Sequence, residues 1–437
     1  MPEVKYRLYR DGDEVGIVDV INKCFSSFNG WGLTADKWLE YEKLDYAFRK
    51  DMALVAEYNG RVVGHVQLIL RKLKMGTRKY LLNGGIANVS TDPEFRRRGI
   101  ATNLMRLAIK VCRERGIPLS GLFTGYPGTA HRVYRRVGYA NTYFMFTFIA
   151  ELDEIDEVKD VYPVVEGIKI EEIEPNDVNR LDELYRSLHE GCAGVALRTR
   201  SYWLNKILGD KVSFHTFFYD NPEAYIRVKA MLGNRIVGYA LAFLPYKARY
   251  TYDPKDRGII LEILGENSGI VGSLALHLFK AFREHGLKTV SGSFPAADPY
   301  LNVFEGFNVF RCGGIYMEAL PRLDVYLREM SEEFSSRLED NGVKLDAKIL
   351  FTSKHAEAGI RIRGHQVELY DGNKYDVVVR VDWDGLTRMI YGIEGFIDLY
   401  SSGYISVESK FDPRKVLTAL ATMFPLRVFH IWRIDHW

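Results

Sequence analysis

The chain has 437 residues, 47% hydrophobic and 27% charged, with a formal net charge of +2. That length exceeds what one hydrophobic core serves, so two to four domains are expected. The near-neutral balance excludes a molecule-wide nucleic-acid footprint and makes any anion site a local patch.

No apolar run is long enough to cross a bilayer, and the charged start MPEVKYRLYRDGDEV does not read as a signal peptide. Cys24, Cys112, Cys192 and Cys312 are far apart and lack CxxC spacing. Neither a disulfide framework nor a metal site is expected, and a reducing cytoplasm is the expected compartment.

In chain order, a short strand is predicted at Val4–Tyr9, then one or two helices carrying the aromatic run CFSSFNGW (Cys24–Trp31) and Trp38. A hairpin follows with an Asn/Gly turn at Asn59 and Gly60. The basic segment RKLKMGTRK (Arg71–Lys79) reads as a solvated loop or as a further holder of phosphates. GGIANVST (Gly84–Thr91) suits a buried strand. From Ile100 the apolar positions Ile100, Leu104, Leu107, Ala108 and Val111 form one helical stripe. This helix stops at Arg115-Gly116-Ile117-Pro118. A strand and a short helix close the unit.

The pattern then repeats. NGRVVGHVQLIL (Asn59–Leu70) resembles GNRIVGYALAFL (Gly233–Leu244), and VCRERGIPLSGLF (Val111–Phe123) resembles AFREHGLKTVSGSF (Ala281–Phe294). YRRVGY (Tyr134–Tyr139) has its counterpart in NVFEGF (Asn302–Phe307), and the acidic ELDEIDEVKDVYPVVE (151–166), broken by Pro163, reads as the connector. Matching pieces in one order at near-constant offset predict two copies of an α/β domain. Beyond Leu320 the texture changes. A helix over DVYLREMSEEFSSRLED, strands between Lys344 and Val381, and helices near 385–401 and 413–423 predict a smaller α+β domain.

Between strand and helix lies STDPEFRRRGIAT (Ser90–Thr102), with Arg96, Arg97 and Arg98 directly before Gly99. A helix start leaves N–H groups unpaired and carries a partial positive charge, so it favours an anion. Glycine and small Ala101 keep the backbone open, and arginine adds charge-assisted contacts. The expected ligand is a phosphate or pyrophosphate. Neither GxxxxGK[ST] nor GxGxxG is present here, which weakens nucleotide-hydrolase and dehydrogenase readings.

These residues resemble the acetyl-coenzyme-A signature R/Q-x-x-G-x-G/A of GNAT acetyltransferases, here Arg96-Arg97-Arg98-Gly99-Ile100-Ala101. The resemblance implies that this turn, with Thr102, holds the coenzyme pyrophosphate, and that the preceding strand contacts pantetheine through Val89 and Thr91. The whole plan resembles the enhanced-intracellular-survival (Eis) type: a catalytic GNAT domain over 1–150, a degenerate GNAT-like domain over 165–320, and a sterol-carrier-protein-like domain over 325–437. The second copy has LGENSGIVGS (Leu264–Ser273) where the first has its arginines, and Asn302 where the first has Tyr134.

The resemblance further implies direct acetyl transfer to an amine in a ternary complex. Tyr134 is the expected general acid, and the terminal carboxylate of Trp437 the expected base, with His131 the runner-up. An N–H near Val89 would face the oxyanion. The acceptor implied is a cationic small molecule, such as an aminoglycoside or polyamine, or a lysine side chain. Glu40, Glu42, Asp45 and Glu57 are available as acidic walls. A homo-oligomer, up to a hexamer, is implied; no metal, nucleic-acid or membrane partner is expected. The alternative is a non-catalytic acetyl-coenzyme-A sensor, or a carrier of an apolar ligand in the third domain.

Overall fold

The computed structural model describes residues 3–158, 162–209, 212–214, 217–219, 221–248, 251, 253–295, 297–304 and 306–437. The first repeat contains β1 (Lys5–Leu8), α1 (Asp13–Cys24), α2 (Ser26–Trp31), α3 (Ala35–Leu44), β2 (Phe48–Tyr58), β3 (Arg61–Lys74) and β4 (Tyr80–Thr91). It continues with α4 (Ile100–Glu114), β5 (Ser120–Gly125), α5 (Thr129–Arg136), β6 (Ala140–Glu151) and α6 (Leu152–Val158). Asn59 and Gly60 both take positive φ (51° and 76°), as the tight β2–β3 turn requires. The buried face of α4 is Ile100, Leu104, Met105, Ala108, Val111 and Cys112, so Met105 takes the core position expected for Leu107. Gly116, at φ 67°, stops the helix, and the Ile117 N–H returns to the Cys112 carbonyl at 2.8 Å.

The second repeat follows the same order: β7 (Ile168–Glu172), α7 (Val178–Leu188), β8 (Tyr225–Leu232), β9 (Arg235–Phe243), β10 (Arg257–Gly265), α8 (Ser268–Glu284), β11 (Thr289–Gly292), α9 (Tyr300–Phe304) and β12 (Asn308–Ala319). Of the segments singled out in the sequence, connector residues 159–161 and Glu305 lie outside the described residues, as does the Cys312 side chain. Cys24, Cys112 and Cys192 are free thiols.

The two repeats share one twelve-stranded sheet, in the order β1-β2-β3-β4-β5-β12-β6-β11-β10-β9-β8-β7. The last strands are exchanged. β12 pairs with β5 from Gly314↔Gly125 to Ala319↔Ser120, while β6 pairs with β11 from Thr289↔Glu151 to Gly292↔Phe148. Each repeat therefore has its sheet completed by the other, and the halves are bound by backbone hydrogen bonds as well as by side-chain packing.

The third domain has α10 (Leu323–Asp340), β13 (Leu345–Thr352), β14 (Glu357–Gly364), β15 (Gln366–Tyr370), β16 (Val377–Val381), α11 (Trp383–Tyr391), α12 (Phe396–Ser401), β17 (Ile405–Ser409) and α13 (Pro413–Met423). Its sheet order is β15-β14-β13-β16-β17. Phe334 and Phe351 pack on Phe424 at centroid distances of 5.0 and 5.6 Å. The helix expected near 385–401 is two helices, because Gly392 caps α11 in a left-handed conformation at φ 70°. The domain docks on the first repeat through Trp383, whose Nε1 donates to the Gly138 carbonyl at 2.9 Å, and through the Arg135–Asp384 ion pair. The chain then runs from Phe424 back to the first repeat and ends in its sheet. Among the described residues, no helix is long and apolar enough to cross a membrane.

Candidate active site

The site begins with a defect in β4. Its register against β3 runs from His65↔Ser90 to Gln67↔Ala87, so Asn88 and Val89 together oppose Val66. This is a one-residue bulge, with Asn88 at φ 54°. On its other side β4 pairs with β5 only near Ile86↔Leu122, with a bridge at Asn83↔Leu119. Past Ile86 the two parallel strands separate. The bulge and the fork leave the Val89–Thr91 edge facing a cleft instead of a neighbouring strand.

At the end of β4 the buried Asp92 carboxylate accepts from the Glu94 N–H at 3.0 Å and pairs with Arg61, which fixes the turn. Arg97 (φ 63°) and Gly99 (φ 78°) both take left-handed conformations, and α4 starts with no side chain capping it. A Cβ on Gly99 would meet nothing within 4 Å, so the glycine is demanded by its backbone angle and not by lack of room.

The cleft holds about 800 Å³ and is lined by Val89, Thr91, Arg96, Arg97, Gly99, Ile100, Ala101 and Thr102. It is also lined by Cys24, Phe25, Ser90, Thr129, Ala130, Val133, Tyr134 and Arg136, and no carboxylate is among them. The hydroxyls of Ser90 and Thr91 are buried without a hydrogen-bond partner, as expected where a ligand completes the set. A long anionic ligand fits this donor set.

Arg98 is placed elsewhere. Its guanidinium lies 5.0 Å from the Phe95 ring and donates to the Glu94 carbonyl, so it braces the turn and leaves the cleft wall to its neighbours. Arg136, absent from the sequence expectations, takes a place on the wall; its signal was the second arginine of VYRRVGY.

Tyr134 reaches the cleft from α5. Its ring is 7% exposed, and burial drives its hydroxyl well above the ordinary tyrosine range. It keeps its proton at physiological pH and can donate that proton or a hydrogen bond. His131, on the same helix, turns away: its Nε2 contacts Asn141 Oδ1 at 2.8 Å and its ring packs against Tyr126.

The corresponding place in the second repeat is closed. The Asn267 side chain caps α8 by accepting from the Ile270 N–H at 3.1 Å. Connector residues cover the same helix end: a Cβ on Gly272 would lie 1.9 Å from the Pro163 carbonyl oxygen, and the Val165 N–H donates to Ser273 Oγ at 3.2 Å. The first copy leaves its helix end open; the second fills it with its own chain.

Trp437 occupies the root of the β4–β5 fork. It is 4% exposed, its Nε1 donates to the Gly121 carbonyl at 3.1 Å, and a Cβ on Gly85 would fall within 2.5 Å of its indole. Asp435 anchors this tail. Its carboxylate takes Arg198 and the hydroxyls of Tyr185 and Tyr202, while its carbonyl takes Arg71 Nη1 at 2.6 Å. Arg198 also pairs with Glu262 of β10, and Arg71 with Asp45. Burial would raise the carboxyls of Asp45 and Asp435. Arg71 and Lys206 outweigh it and hold Asp45 at about 2, and Arg198 does the same for Asp435, whose pKa is lowered.

The segment read as a solvated or phosphate-holding loop is divided: Lys72, Thr77 and Arg78 are exposed, while Arg71, which holds the Asp435 carbonyl, is 1% and Lys74 3% exposed, and none of them lines the cleft. Of the proposed acidic walls, Asp45 is consumed in this network. Glu57 pairs with Arg7, and Glu42 accepts from the Lys50 N–H at 2.6 Å. Trp38 is fully buried against Tyr9 and Phe48 and is a core residue.

Residues 5–142 match the acetyltransferase (GNAT) domain family. Among solved structures, the whole chain superimposes on the whole of a GCN5-related N-acetyltransferase from Anabaena variabilis, with 14% identity and a TM-score of 0.70. A second GCN5-related N-acetyltransferase, from Kribbella flavida, matches over the full length of both chains with 14% identity and a TM-score of 0.66. Eis1 from Mycobacterium abscessus matches over 99% of this chain and 100% of its own, with 14% identity and a TM-score of 0.62. At such identities these likenesses establish the fold. No curated protein sequence gives a significant match.

Proposed function

We propose that this chain, whose residues 5–142 form an acetyltransferase (GNAT) domain, transfers acetyl from acetyl-coenzyme A to a primary amine at the β4–β5 fork. That it is an acetyltransferase follows from the domain; the acceptor and the residue roles are our reading. One observation carries it: the bulged β4 edge, the uncapped start of α4 and the Tyr134 hydroxyl all face one cleft free of carboxylates.

In this reading Arg96, Arg97 and Arg136 and the first turn of α4 bind the coenzyme phosphates, and Val89 to Thr91 bind the pantetheine arm. The amine nitrogen attacks the thioester carbonyl. The developing oxyanion is met by a β4 N–H at the bulge. The thiolate leaves with the proton of Tyr134, and the amine's proton passes to the terminal carboxylate of Trp437, which the Asp435 network steadies. No covalent enzyme intermediate is required. The third domain is assigned the role of delivering this tail, on a sterol-carrier-like scaffold; its phenylalanine-filled interior supports a wall more than a carrier. Homo-oligomerisation is part of the proposal and is measured by light scattering.

The test is amine-dependent release of free coenzyme thiol, scanned over polyamines, aminoglycosides, lysine peptides and simple alkylamines. A form lacking Trp437, checked for folding and coenzyme binding, is the comparison. Turnover that collapses in that form supports the carboxylate base; turnover that persists moves the base elsewhere. Coenzyme binding with no release from any amine favours the sensor reading.

A further inference from the structure

The end of the chain is held in two ways. Asp435 fixes the tail just before its last residue, through Arg198 and Arg71. Trp437 is then held by its own side chain, whose Nε1 donates to the Gly121 carbonyl at 3.1 Å. The other backbone group of Gly121, its N–H, donates to Asn83 Oδ1 at 3.1 Å. Asn83 is fully buried on β4, close before Gly85, against which the indole packs.

The Asn83 amide is itself oriented from its far side. Its Nδ2 donates to the Glu318 carboxyl, at 3.2 Å to Oε2 and 3.4 Å to Oε1, and lies 3.3 Å from the Tyr316 hydroxyl. With the amide hydrogens committed there, Oδ1 is the atom left to meet the Gly121 N–H. Glu318 Oε2 also accepts from the hydroxyls of Tyr316 at 2.5 Å and Tyr391 at 2.7 Å. All of these side chains are fully buried. They converge from β4 of the first repeat, from the exchanged strand β12 and from α11 of the third domain. Tyr316 also touches the tail: its ring stands 6.2 Å from that of Trp437, and a Cβ on Gly121 would lie 2.1 Å from its hydroxyl, so position 121 is restricted to glycine by close approach.

We infer that Glu318 and Asn83 are positioning residues for acetyl transfer: an unbroken line of hydrogen bonds from Glu318 through Asn83 and Gly121 fixes the Trp437 indole, and with it the direction of the terminal carboxylate. This rests on the reading above, in which that carboxylate takes the amine's proton. Asp435 places the tail, and the Glu318 line sets how its last residue points. Without an acceptor at position 318, two hydroxyls and an amide lose their partner inside the core. The Asn83 amide is then free to turn over, which sets its –NH2 against the Gly121 N–H and loosens the strand that carries the indole. A displacement of about 1 Å at a reacting group costs about 10²-fold in rate, so a small loss of hold is read strongly in kcat. The coenzyme cleft is lined by other residues and is not expected to respond.

The experiment compares the full chain with Glu318→Gln, which keeps the size of the side chain but places an amide –NH2 among donors. Both are assayed at pH 8, above the value of about 7 to which burial raises the Glu318 carboxyl. The readouts are kcat for thiol release with an amine that the parent turns over, the affinity for acetyl-coenzyme A by calorimetry, and the rate at which carboxypeptidase A removes Trp437, followed by mass. The expected result is a kcat lower by about tenfold or more, an unchanged affinity for acetyl-coenzyme A, and removal of Trp437 faster by about fivefold or more, since cleavage follows the opened population. Should that variant fail to fold, Asn83→Ala cuts the same line at its middle. A parent-like kcat in a folded variant overturns the inference, and so does a lower kcat with Trp437 removed no faster. Thiol release from no amine, or release that persists in the form lacking Trp437, overturns the reading beneath and the catalytic part of this inference with it; the rate of Trp437 removal then decides the anchoring alone.

Discussion

Tyr134 shows how a common residue acquires one chemical role. Packing removes its ring from water, which makes the phenolate unaffordable and leaves a proton donor facing the cleft. Tyr134→Phe keeps the packing and removes the proton. We expect kcat to fall by about 10²-fold or more, with acetyl-coenzyme-A affinity near that of the parent, as read by steady-state kinetics and calorimetry. His131→Ala, outside the cleft, should leave kcat nearly unchanged.

A second residue is informative through pH. Glu318 on β12 is fully buried, and burial raises its carboxyl to about 7, against hydrogen bonds from Tyr316 and Tyr391. The unfolded value is about 4.3. Between these limits the folded chain retains a proton that the unfolded chain has released. Stability from this group therefore falls as pH rises from about 4.3 to about 7, by roughly 4 kcal/mol, and levels off above. Glu318→Gln should abolish that part of the slope in urea unfolding across this window; parallel curves for parent and variant would contradict it.

At the scale of elements, the contrast between α4 and α8 decides how many coenzymes bind. Both helices follow a corresponding strand, β4 or β10, and both carry the partial positive charge of a helix start. α8 has its own Asn267 cap and the 163–165 connector laid over it, whereas α4 has Gly99 and open space. Calorimetric titration with acetyl-coenzyme A should give one site per chain. A second site of similar affinity would show that the connector does not close α8.

At the scale of the molecule, the exchange of β6 and β12 and the tail network make the chain one cooperative object. Asp435 receives Arg198 from the second repeat and Arg71 from the first, so both repeats hold the segment that sets Trp437 in the fork. Asp435→Asn keeps the backbone contact to Arg71 but leaves the buried Arg198 with Glu262 as its one remaining carboxylate. Loss of one partner of a buried pair costs about 3–5 kcal/mol, so thermal unfolding should shift down markedly. Amine-dependent turnover should fall further than acetyl-coenzyme-A affinity, because the coenzyme cleft is built from other residues.

Much of the site was legible in the chain because it is local. RRRGIA is a turn joined to a helix start, and its conformation follows from Gly99 and the apolar stripe that begins at Ile100. The repeat was legible because each copy carries its own hairpin, helix stop and strand in order. The roles of Arg71, Arg198 and Asp435 were not, since the Arg71–Asp435 contact joins positions 364 residues apart and no local pattern marks either end. RKLKMGTRK read as solvated because charge ordinarily seeks water, as Lys72 and Arg78 do; only the packed tertiary structure supplies the partners that bury Arg71 and Lys74. Likewise the sequence shows that Glu42, Asp45 and Glu57 exist, and only the fold shows that each is already engaged. Short-range geometry is set by neighbouring residues and can be read from them. Charge compensation and strand exchange depend on which distant surfaces meet, and that is decided when the chain closes on itself.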